Sequence, residues 1–146
     1  MSVYSQLISD TYQSIRKARK IGPDAYIDES LRSMLNNRAQ LLFTLSLLIH
    51  QHRKEHMGNV LPETGIDALH HKIMHKHNWP LKDIRAMPFA DQLLSLADEL
   101  RIENLPEEAQ KLFSGFHPAG MSFPDFADGE WEPENVEITF SWFQQQ

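Results

Sequence analysis

The chain contains no cysteine, which excludes disulfides, thiolate metal ligands and cysteine nucleophiles together. It also lacks any long apolar run. The most hydrophobic stretch, LLFTLSLLI at 41–49, is far short of the ~20 residues that cross a bilayer, so it predicts a buried helix segment and no membrane association. A basic leader followed by an apolar stretch and a small-residue cleavage site is missing too. The start, MSVYSQLISDTYQSIRKARK, reads instead as an amphipathic helix, and the expected location is the cytosol. There is no G-x-G-x-x-G, no phosphate loop and no G-x-S-x-G. Carboxylates are plentiful, but they lie in an acidic tail or on polar helix faces such as DEL and PEE, where solvation explains them. The sequence therefore predicts a non-enzyme with no cofactor.

What is present fits one folded unit. The 146 residues carry a formal charge of -6, with 41% hydrophobic and 23% charged residues, enough apolar material for a core and too much for a disordered chain. Six glycines and eight prolines fall mostly between periodic segments. Tyr4, Leu7, Ile8, Ile15 and Ala18 mark one side of a first helix, stopped by GPD. A second runs from about Asp28 to Gly58, with Leu31, Leu35, Leu42, Leu45, Ile49, His52 and His56 at helical spacing. Thr64 and Asp67 have the spacing of a capping box that opens a third helix through His77. A short helix, PLKDIRAM, follows, then one from Pro88 along FADQLLSLADELRI, and a last one from Pro106 to Gly115.

The composition changes near residue 113. Eight of the fourteen aromatics lie from Phe113 onward, and residues 103–146 hold nine carboxylates against Lys111, a net of -8 that leaves +2 for the rest. In NVEITFSWF, Val136, Ile138, Phe140 and Trp142 alternate with Glu137, Thr139 and Ser141, the period of a half-buried strand. The expected fold is mainly α: a compact bundle of about five to six helices with a short C-terminal β-strand or hairpin. Residues 1–115 form the helical domain, and 116–146 an acidic, aromatic-rich segment packed on it. The strand's partner is either GMSFPDFA, through the turn around DGEWEPEN, or another chain.

Seven histidines crowd into HQHRKEH and LHHKIMHKH. His52 and His56 stand four apart on one helix face, a common ligand spacing, and HRKEH matches H-x-x-E-H, a five-residue pattern too short to indicate a protease. An antiparallel hairpin of the second and third helices, with Ile66, Leu69 and Ile73 inward, brings His52, His56 and His70 together and points His71 and His75 outward. The main reading is that His52 and His56 are buried core-edge histidines. A metal site of His52, His56 and His70, or a pH-responsive cluster, is the alternative.

DALHHKIMHKHNWPLKDIRAM also has the outline of a helix-turn-helix, with Lys72, Lys76, Lys82 and Arg85 toward phosphates. The acidic whole molecule opposes that reading. The leading expectation is a small helical protein that binds another protein, or a second copy of itself, as a regulator, inhibitor, immunity protein or chaperone would. Trp131, Phe140, Trp142 and Phe143 serve as aromatic anchors in an acidic surround.

Overall fold

A computed structural model describes residues 2–57, 64–114 and 121–144. α1 (Val3–Ala18) opens where the Ser2 hydroxyl accepts the Ser5 N–H, and its last turn carries Arg16 and Lys17, cations that suit the negative end of a helix. α2 (Glu29–His52) begins where the Asp28 carboxylate accepts the Leu31 N–H. It continues as one wide π-helical turn, Arg53–Met57. α3 (Gly65–His77) has the complete capping box, Thr64 and Asp67 each accepting the other's backbone N–H. Asn78 ends it in the left-handed region at φ 59, which asparagine tolerates better than most residues. The short helices α4 (Leu81–Ala86), α5 (Phe89–Leu94) and α6 (Glu107–Gln110) lead to α7 (Pro133–Gln144).

α2 is the hub, because α1, α3 and α7 all pack on it. That explains why its burial extends around the helix, from Leu35, Ala39, Leu42, Leu45 and Ile49 to Phe43 and Leu47. The first five join Ile15, Leu69, Ile73, Ile84 and Leu96 in the larger core cluster. Phe43 and Leu47 join Leu7, Leu105, Ala109 and Val136 in a smaller one. Gly65, at the start of α3, lies where α7 begins: a Cβ there would stand 2.3 Å from Pro133 Cβ, so this crossing requires glycine. No helix among the described residues is long and apolar enough to cross a membrane.

The C-terminal strand is not formed. Residues 133–144 are helical, and among the described residues there is no strand for such a segment to pair with. Both periods are written there: Val136 and Phe140 also stand one helical turn apart. A helix satisfies its own backbone groups and buries that pair against α1 and α2, whereas a lone strand has no ladder. Pro133, the first helical residue, is a favourable N-terminal position for proline. The proposed hairpin arm does not form either, since 121–131 runs without regular structure except turns. α5 also stops earlier than its apolar stripe suggests. Ser95 turns its hydroxyl onto the Gln92 carbonyl at 2.6 Å, and the backbone tightens into three-residue bonds such as Leu96 N–H to Leu93 O.

Candidate functional site

The end of α2, its π-helical extension and α3 bring four imidazoles together. His52 closes α2 and is 4% exposed. His56 lies in the π turn, a feature often found at functional positions. Facing them are His71 and His75, one turn apart on α3. His52 Nε2 and His71 Nδ1 are hydrogen-bonded at 2.8 Å, so one ring of the two is the donor and the other offers its lone pair. Ring centroids are 4.7 Å apart for His52 and His56, 4.7 Å for His56 and His75, 5.0 Å for His52 and His71, and 6.2 Å for both His52–His75 and His71–His75. Burial first, and then the positive neighbours Lys72, His71, His56 and His75, push the His52 pKa down to about 3. It is neutral at ordinary pH, with no proton on one ring nitrogen. Among the described residues, no group of three or more His, Asp or Glu side chains could hold a metal ion as the side chains stand.

This grouping differs from the His52, His56 and His70 set drawn from a hairpin. His70 is buried on another side of α3, where Gln92 bonds its ring and burial lowers its pKa. His77 is turned the same way, its Nε2 2.8 Å from the Ser95 carbonyl. α3 is packed against α4 as well as α2, so it has two inward sides. Ile66, expected inside, is exposed, and that rotation delivers His71 and His75 to α2. His52 pairs with His71 and His56 approaches His75, a same-sense order that an antiparallel hairpin would reverse. Most of the connection expected to make that hairpin, 58–63, lies outside the described residues, as does His117. Of the pair expected to be buried, His52 is and His56 is exposed. Glu55, the acid of the H-x-x-E-H match, accepts from Gln51 and comes no closer than 3.7 Å to His56 Nε2.

The basic residues of the helix-turn-helix outline are partly engaged elsewhere. Lys72 is 2.9 Å from Glu99, and Lys76 is 2.8 Å from Asp98 and 3.1 Å from Glu99. α4, the second helix of that outline, has only 6 residues.

The aromatic anchors divide into inward and outward groups. Trp131 donates its indole N–H to the Ser46 hydroxyl at 3.0 Å and stacks with Phe89. Phe140 is sandwiched between Tyr4 and the His50 ring, whose centroid lies 3.9 Å away. Both belong to the protein's own packing. Trp142 is 55% exposed, with Phe143, half-buried, edge-on to it. Ile138, expected inside, is 65% exposed. Ile138 and Trp142 are one turn apart, a spacing that could have been read from the sequence had the helical period been preferred.

Glu130 anchors the irregular segment that precedes α7. It is 2% exposed and bonded to Arg38 at 2.6 Å and Arg19 at 3.0 Å. Its other contact is the Ala127 N–H. Arg38 also donates to the Phe123 carbonyl and Arg19 to that of Asp125, while the guanidinium of Arg19 lies over Phe123 and that of Arg38 over Phe126. No family model, curated protein or solved structure matches this chain.

Proposed function

We propose that the protein acts by binding another protein, without catalysis, through the outward face of α7. The observation that carries this reading is the exposed pair Ile138 and Trp142, one helical turn apart on a helix whose opposite side, Val136 and Phe140, is anchored in the core. An apolar pair on a rigid helix is a suitable anchor for a groove on a partner. Asp10 and Glu132 flank Ile138, with Lys17 nearby, and Glu134 is half-exposed. The acidic character of the segment favours a partner with a basic rim and disfavours a second copy, since a self-complementary contact would set like charges against each other.

The test compares the natural chain with Ile138→Ser/Trp142→Ser, both immobilised and exposed to extract of the source cells. The expected result is one discrete protein retained by the natural chain, released by salt and lost from the variant, whose melting temperature is unchanged. Equal capture by both chains overturns the reading. So does a solution mass of two copies that the double substitution halves, because the face would then belong to a self-association.

A further inference from the structure

We propose that His52, His56, His71 and His75 form a binding site for one divalent late transition metal ion of the zinc type, which fastens the end of α2 to α3. The ring spacing is comparable with that of such a site, although the nitrogens do not converge as the side chains stand. Zinc–imidazole bonds of about 2.0–2.1 Å put each ring centroid ~3.2 Å from the metal, so four tetrahedral imidazoles have centroids ~5.2 Å apart. Five of the six separations among these rings, all but that of His56 and His71, run from 4.7 to 6.2 Å. The ligands come as two pairs, each four residues apart on a helical segment, so each pair shares a face before any metal arrives.

What keeps the nitrogens from converging is the bond between His52 and His71. Their facing nitrogens are 2.8 Å apart, whereas two ligand nitrogens on tetrahedral zinc are separated by roughly 3.3 Å. Opening that contact by about half an ångström, turning both rings toward a common position and shifting the proton of the donor ring to its other nitrogen make room for the ion beside the two atoms that now face each other. A set of four imidazoles suits zinc, copper or nickel, and it does not suit magnesium or calcium, which take oxygen ligands. Lys72, the nearest fixed positive charge acting on His52, is itself held by Glu99 at 2.9 Å. The site stands apart from the partner face of α7 and does not depend on it.

Tag-free protein, dialysed against chelator, is titrated with zinc chloride and separately with magnesium chloride, following bound metal and melting temperature. Cobalt(II) is the spectroscopic probe, since four-coordinate cobalt has intense visible bands that the hydrated ion lacks. The expected result is one zinc per chain, a higher melting temperature, four-coordinate cobalt bands and no response to magnesium. His71→Gln/His75→Gln, which alters the two rings of α3 and spares buried His52, should weaken zinc binding at least tenfold while the metal-free melting temperature stays near that of the natural chain. His70→Gln should leave zinc binding unchanged. The proposal is overturned if the natural chain binds no zinc at 100 µM, if the double variant binds it equally well, or if His70→Gln abolishes binding.

Discussion

Two polar clusters are built on α2, and they solve the problem of burial in opposite ways. Around Glu130, a buried carboxylate meets two guanidiniums, which also reach carbonyls of the adjoining segment, while Arg19 Nε has no hydrogen-bond partner. Around His52, four rings of one kind face each other, and protonating His52 introduces a charge that its neighbours oppose. The first cluster pairs opposite charges within the chain: its ion pairs and hydrogen bonds hold residues 123–131 where no helix or strand does. The second is made of imidazoles alone, the groups on which the proposed metal site rests.

The sharpest way to break this comparison is to remove Glu130. Glu130→Ala leaves Arg38 and Arg19 without their shared counter-ion, and burial already pulls the Arg38 pKa down against the support of Glu130. The expected loss is about 3–5 kcal/mol in urea or thermal unfolding. A loss below about 1 kcal/mol would mean that the packing of Phe123, Phe126 and Trp131 holds the segment without the ion pairs.

The histidine cluster should respond to pH instead. In the metal-free protein, the folded pKa of His52, about 3, lies below the unfolded value of about 6.5. Between those values the unfolded chain takes up the proton that the folded chain refuses. The stabilising contribution is therefore complete above pH ~6.5 and is lost as pH falls toward 3. From pH 6 to 5, before carboxylates titrate, stability should drop by about 1 kcal/mol from His52, with a further loss from His70, whose pKa is also lowered. Urea midpoints at the two pH values check this, and His52→Gln should flatten the slope. An unchanged slope in that variant would place the proton uptake elsewhere.

The smallest expected effect belongs to His56. Its ring is partly open to solvent, with 37% of the side chain exposed, so His56→Ala in metal-free protein should change stability by less than about 0.5 kcal/mol at pH 7. A loss above 1 kcal/mol would make the four rings a structural stack and remove the contrast with Glu130.

Several parts of this arrangement were legible beforehand. The capping box at Thr64 and Asp67, the start of α2 near Asp28 and the unbroken apolar pattern of α2 depend on neighbours in sequence, and such local rules are recorded residue by residue. The i, i+4 spacings of His52 with His56 and of His71 with His75 are local in the same way. Which side of α3 turns toward α2 is not local. It follows from α3 having two packing partners, and a reading that assumed one inward face chose His70 and rejected His71 and His75.

Residues 133–144 show the same division. Their apolar residues satisfy a two-residue and a four-residue period at once, so the sequence by itself determined only that Val136 and Phe140 share a face. Tertiary structure decided the rest: with no described strand to complete a ladder, a helix is the form that closes its own hydrogen bonds, and it turns Ile138 and Trp142 outward. Likewise the composition supplied Arg19, Arg38 and Glu130, separated by up to 111 positions, but only the packing of the final segment across α1 and α2 made them one buried charge network. Local spacing fixes which side chains travel together on a helix; long-range packing fixes which of those groups meet.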